Sequence, residues 1–195
     1  MTGRRRRVLV SISCALVLAA VVGAHAVHGN DGPATPNDPR PLTAALLQWF
    51  RLDQTSVRAL GVYGTRTGAR IELAYGRRAG GVECLVAVGD GSAGSACGGL
   101  YARGPVAIVE RSSGGPELQK RSELEVIGLA RPNVARVALV DTTGRTRWPA
   151  LSENRTFMVE FARAELQTGV GPAELLAYDR AGAELMRLDL SEPGS

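Results

Sequence analysis

Histidine is nearly missing from this 195-residue chain, and the two present, His25 and His28, sit at the end of a hydrophobic leader. Nothing beyond residue 28 can therefore build a Ser-His-Asp triad, a Cys-His pair or a His-ligated metal centre. Lysine is almost absent too: Lys120 stands alone against 22 Arg. Cysteine is limited to Cys14 in the leader and to Cys84 and Cys97 beyond it. No Cys-x-x-Cys pair exists for redox catalysis, and two thiolates without histidine make a poor zinc site. Aromatic residues are only 5% of the chain. The net charge of +4 is carried by Arg4, Arg5, Arg6 and Arg7, because the other 19 basic residues balance 19 acidic ones. A nucleic-acid footprint needs clustered positive charge on the domain itself, so no nucleic-acid partner is expected.

What is present begins with that leader. Val8 to Val27 is a run of 20 residues without formal charge. A helix of about 20 residues crosses the roughly 30 Å hydrocarbon core. Arginines ahead of it hold the N-terminus inside and send the remainder outward. Ala24-His25-Ala26 fits signal-peptidase cleavage after Ala26, whereas the length of the run fits a retained single-pass anchor. Both readings place the domain outside the cytoplasm. Residues 1–28 are thus a signal or anchor segment. Residues 29–41 hold four Pro and form an extended spacer.

A short helix follows in expectation, capped by Thr43, with Leu42, Ala45, Leu46, Trp49 and Phe50 at helical spacing. From Val57 the period falls to two. Strands are expected at 57–63, 69–75, 82–88, 106–110, 123–129, 134–140, 156–161, 174–179 and 184–190. Turn residues separate them, and the long helices that parallel strands require between them are missing. The expected fold is mainly β: an antiparallel β-sandwich, immunoglobulin-like in its C-terminal part. Residues 42–190 form this extracytoplasmic domain, with a seam between two lobes near 112–121. Asp179 and Gly182 mark the turn of a closing hairpin.

Few constellations carry chemistry. Cys84 and Cys97 are expected to form a structural disulfide in an oxidising compartment, with Gly89–Ala96 as a flexible loop between them. Gly89-Asp-Gly91-Ser-Ala-Gly94 matches G-x-G-x-x-G, but Cys97-Gly98-Gly99 follows where a helix would have to hold a phosphate. Asp141-Thr-Thr-Gly144 resembles an aspartic-protease loop with one residue too many and no second copy, which suits Asp141 to a hairpin turn. Glu123, Glu125, Glu160 and Glu165 read as solvated face residues, and Asn154-Arg-Thr156 as a chance sequon. Arg77-Arg78 and, above all, Arg145, Arg147 and Trp148 are the surface-recognition candidates, since Arg beside Trp suits stacking or anion contact. No cofactor is implied.

Cys84-Leu-Val86, Gly94-Ser-Ala-Cys97, the run Gly128-Leu-x-x-Pro132-x-Val134-x-x-Val137, Asn154-Arg-Thr-Phe157 and Ala177-Tyr-Asp179 together resemble a loose group of uncharacterised exported or membrane-anchored β-rich bacterial proteins. The resemblance spans about residues 55–190 and implies a disulfide-bonded extracytoplasmic β domain. It carries over no functional residue. The expected function is that of a non-enzymatic binding or accessory module. Its partners would be the membrane, through the N-terminal helix, and a protein or other component of the cell envelope. The alternative is a hydrolase using dispersed carboxylates.

Overall fold

The structure is a computed structural model and describes residues 50–89, 92–114, 117 and 121–191. All belong to one compact unit, Pro36–Ser195. The leader, the Pro-rich spacer and the expected helix over 42–50, Phe50 excepted, lie outside the described residues. Among the described residues, no helix is long and apolar enough to cross a membrane.

The alternation of bulky and polar residues produces strands where it predicts them. β1 (Arg58–Gly64), β2 (Arg70–Arg77), β3 (Glu83–Gly89) and β4 (Ser92–Cys97) form a four-stranded antiparallel sheet in that order. β5 (Val106–Gly114), β6 (Arg121–Ala130) and β9 (Thr156–Ala162) form a second. β7 (Arg136–Asp141), β8 (Thr146–Arg147), β10 (Pro172–Tyr178) and β11 (Glu184–Asp189) form a third, ordered β11-β10-β7-β8. Among the described residues, the helical elements after Phe50 are a 3-10 turn, Gln54–Ser56, and α1, Arg163–Gln167. The chain is mainly β with antiparallel sheets.

The second sheet feeds two cores at once. On one side Ala107, Val109 and Ile127 pack with Leu60, Ile71, Leu73 and Leu85 of the first sheet. On the other, Leu124, Val126, Phe157, Val159 and Phe161 pack with Val137, Leu139, Leu175 and Ala177 of the third. A strand buried on both faces must be apolar at consecutive positions, which accounts for Val126-Ile127 and their neighbours in β6. Gly128 fits the same crowding: the ring of Phe157, its partner across the β6–β9 ladder, occupies the space a side chain would need. The seam expected near 112–121 falls between β5 and β6, which pair along their length.

One expectation is overturned. Gly89–Ala96 is no flexible loop, since residues 92–97 form β4, in register with β3 from Gly89↔Ser92 to Cys84↔Cys97. Small residues allow it. A Cβ on Gly94 would lie 2.5 Å from the Glu110 carbonyl oxygen and 2.8 Å from Val109 Cγ1, so a bare backbone is what lets β4 approach β5. Cys84 and Cys97 stand opposite each other, Cα atoms 4.1 Å apart, and are bonded. Cys84 is fully buried beside Val86 and Leu52. Phe50, Leu52 and Val57 cover this outer surface of the first sheet.

Gly94→Ala should lower stability by roughly 1–3 kcal/mol, as overpacking does. Urea unfolding measures it, and a parent-like midpoint would mean that β4 and β5 are not in close contact. Replacing both Cys84 and Cys97 by Ala should remove about 3 kcal/mol, the chain-entropy value for a short closed loop. Thermal unfolding of the double variant reports this, with no loss expected if the bridge does not form in the native protein.

Candidate binding face

The three residues singled out around β8 separate in the fold. Arg145 is exposed in the β7–β8 turn. That turn is built on Asp141, whose Oδ1 accepts from Thr143 N (3.0 Å), Thr143 Oγ1 (2.6 Å) and Arg145 N (3.1 Å). Gly144 supplies the positive φ of 84°. Arg147 lies opposite Leu139 in the ladder and so points to the core side. Its Nη2 is 2.7 Å from Glu165 Oε1 and 3.4 Å from Asp141 Oδ2, and its Nη1 donates to the Glu160 carbonyl at 3.0 Å. Its guanidinium also stacks 4.2 Å from the Phe161 ring centroid. Only 15% of its side chain is exposed. Arg147 ties β8, β9 and α1 together and offers no free recognition surface.

Trp148, one residue on, turns the other way and is 55% exposed. The register of β7 and β10 brings two residues to it that the sequence did not single out. Arg136 and Tyr178 are direct partners across that ladder. The Trp148 and Tyr178 ring centroids are 5.8 Å apart at an interplanar angle of 35°. The Arg136 guanidinium lies over both rings, 5.5 Å from one centroid and 5.8 Å from the other. These distances fall within cation–π range. Leu176 and Ala138, partners on the same side of the ladder, are themselves buried. At the far strand Arg187 is held by Glu174 (2.8 Å) and Glu184 (2.8 Å). The face is thus a rigid antiparallel sheet carrying two aromatic rings and a stacked guanidinium.

The other candidates are engaged within the domain, Arg77 and Asn154 at its surface and the rest at least partly buried. Arg78 donates from Nε to the Phe50 carbonyl at 2.9 Å, and Arg77 lies 3.7 Å from Glu83. Asn154 of the sequon donates to the Leu60 carbonyl at 2.8 Å, and Thr156 is buried in a hydroxyl chain with Ser152 and Tyr63. The expectation that Glu125 is solvated is overturned. It is wholly buried between the first and second sheets, in an ion pair with Arg111 at 2.9 Å. Burial pushes its carboxyl above the ordinary range, and the charge of Arg111 offsets this in part. Glu160 stands opposite Glu125 in the ladder but accepts from Arg66 N at 2.9 Å, and Glu123 accepts from Thr67 Oγ1 at 2.9 Å. Glu165 closes the first turn of α1 by accepting from Ala162 N at 2.9 Å. These carboxylates bond loops and strands to one another, and the one with a raised pKa has no surface for a substrate to reach. Among the described residues, no group of three or more His, Cys, Asp or Glu could hold a metal ion.

Comparison with protein-family models, with curated proteins and with solved structures finds no match to the chain.

Arg147→Ala should cost roughly 2–3 kcal/mol, the range for breaking a largely buried, hydrogen-bonded charge network. It should also alter the acid limb of stability. Burial alone would raise Asp141 and Glu165. Hydrogen bonds from the Thr143 turn to Asp141, from Ala162 N to Glu165, and from Arg147 to both outweigh it and hold each below its ordinary value of 3.8 or 4.5. The folded state therefore binds protons less readily than the unfolded one. This contribution is complete above about pH 4.5 and fades as pH falls below it. Melting temperatures from neutral pH downward should drop less steeply in the variant, and parallel curves would refute the network's role.

Proposed function

We propose that this chain is a non-enzymatic binding module outside the cytoplasm, and that the Arg136–Trp148–Tyr178 face is its contact surface. The observation that carries the reading is Trp148: a large aromatic held half-exposed on a rigid sheet, flanked by a second ring and an oriented guanidinium. Aromatic residues and Arg are the side chains that anchor recognition surfaces, because they bury much area at little conformational cost. Export rests on the order of Arg4–Arg7 and the apolar run behind them, which keeps the N-terminus inside. The domain then either remains tethered through the N-terminal helix or is released by cleavage after Ala26. The Pro-rich stretch 29–41 suits a spacer between membrane and domain. The paired Cys84 and Cys97 agree with an oxidising compartment. We read the C-terminal part as an immunoglobulin-like β-sandwich, on the ground that β6 and β9 share one core with β7 and β10. The resemblance to exported β-rich proteins points to the same compartment. The balanced charge beyond the leader argues against nucleic acid.

The hydrolase alternative draws no support from geometry. A paired-carboxylate mechanism needs both acids to reach the substrate. Two acids have a carboxyl raised by burial, Glu125 and Glu110. Glu125 is sealed between the first and second sheets, and Glu110, the ladder partner of Val126, lies on the opposite face of the second sheet, so the two do not form a pair.

Two measurements test the proposal. A folding-dependent reporter fused after Ser195 should be active outside the cytoplasm, and activity inside would end the export reading. A photo-crosslinking amino acid placed at position 148 should give a light-dependent adduct in intact cells, while the same group at position 145, on the opposite end of β7, should not. Equal yields from the two positions, or none from 148, would remove the face from consideration.

A further inference from the structure

We infer that the Arg136–Trp148–Tyr178 face binds a carboxylated saccharide, with sugar rings stacked on Trp148 and Tyr178 and the acid group taken by Arg136. The inference rests on that face being the contact surface and adds the class of ligand.

Size is the first argument. A stable protein–protein interface buries about 800 Å² per partner around a cluster of apolar anchors. Among the described residues, the exposed large hydrophobics are Val62, Val82 and Trp148, and the two valines belong to β1 and to the approach to β3 in the first sheet. The third sheet thus presents one aromatic pair and no extended apolar patch. That area matches one or two six-membered rings.

Ring chemistry is the second. The face of an aromatic ring is electron-rich. A pyranose turns a row of polarised C–H bonds toward such a face, while its hydroxyls point outward to water and to Arg donors. Arg136 already lies over one side of both rings, so Trp148, 55% exposed, supplies the stacking face and Tyr178, 5.8 Å away at a tilt of 35°, extends it.

Charge is the third. Arg187, on the same face, is already neutralised by Glu174 and Glu184. Glu184 is the direct partner of Tyr178, so the acid nearest the platform is occupied. Arg136 has no carboxylate partner among the described residues, and neither has Arg180, exposed in the turn that follows Tyr178. Stacking on the rings fixes the Arg136 fork before a ligand arrives, which lowers the ordering cost of a bidentate carboxylate contact. An acidic peptide would satisfy the charge but not the geometry. The edge strand beside Trp148, β8, is two residues long, too short a ladder for strand addition, and the other edge, β11, carries Glu184 and Asp189, which repel an acidic chain.

The experiment is native affinity electrophoresis of the full chain in non-ionic detergent at near-physiological salt, with polygalacturonate, dextran or polyglutamate cast in the gel. The leader arginines attract any polyanion equally in every variant, so the readout is the difference that a substitution makes. Polygalacturonate should retard the parent, and W148A and R136A should each weaken the derived affinity roughly tenfold, the scale of one lost stacking or bidentate contact. R145A should match the parent. Dextran and polyglutamate should show no dependence on Trp148. R136A removes no ring, so it carries the test even where W148A lowers the melting temperature. Equal retardation of parent, W148A and R136A on polygalacturonate overturns the saccharide assignment. So does a Trp148-dependent retardation by polyglutamate alone, which would make the ligand an acidic peptide. Equal Trp148-dependent retardation by dextran overturns the carboxylate requirement. If the crosslink from position 148 persists in any of these cases, the ligand class has failed and the contact face has not.

Discussion

Three strands, β5, β6 and β9, hide most of both faces, and the rest of the domain is arranged around that constraint. A sheet with one wet face can alternate polar and apolar residues. This one cannot, because Ile127 and Val109 face the first sheet while Val126 and Phe157 face the third. The outer sheets then each cover one side. Their own inner faces supply Leu73 and Leu85 on one side and Leu139 and Leu175 on the other. Burial on two sides also explains why the charged residues that enter this layer are paired. Glu125 meets Arg111, and Arg147 reaches Asp141 and Glu165, since an unpaired charge at such depth would cost several kcal/mol.

The same layering decides which surfaces stay open. The middle sheet is covered over most of both faces and leaves Glu110 and Ser112 of β5 exposed. The outer surface of the first sheet is covered in part by Phe50, Leu52 and Val57. The outer surface of the third sheet carries Trp148, Tyr178 and Arg136. Because its strands are pinned from behind by the core, the rings and the guanidinium are held in fixed relation, which is the condition for binding with little ordering cost. The Arg147 network contributes from the opposite side: by locking β8 to α1 and β9, it sets the direction in which Trp148 leaves the sheet.

Much of the fold was legible from local pattern. The nine expected strands all occur, with ends displaced by a few residues, because period-two alternation and Gly-rich turns are local properties. The hairpin turn at Asp179 and Gly182 and the Asp141 turn were legible for the same reason. The turn aspartates accept from backbone N–H groups a few residues on. β4 was missed because Ser, Ala and Gly carry no strand propensity. Asp90-Gly91, a pair favoured in two-residue hairpins, was the available signal between Val88 and Ser92. Glu125 was misplaced because it sits in an alternating run whose polar positions normally face water. What buries it is the first sheet, which ends at Cys97, well before it in sequence.

Sequence alone determined the β character of the domain and the pairing of its two cysteines, and it set the expectation of export on which the proposed function rests. Those depend on composition, on local periodicity and on the order of charge and apolar residues along the chain. Tertiary structure decided which arginine is tied into a buried network and which stays at the surface beside the rings. Arg147 and Trp148 are neighbours in the chain but leave the strand on opposite faces. Arg136 and Tyr178 meet only through the register of β7 with β10. A binding face is a property of register and layer order, and neither is written in any one stretch of residues.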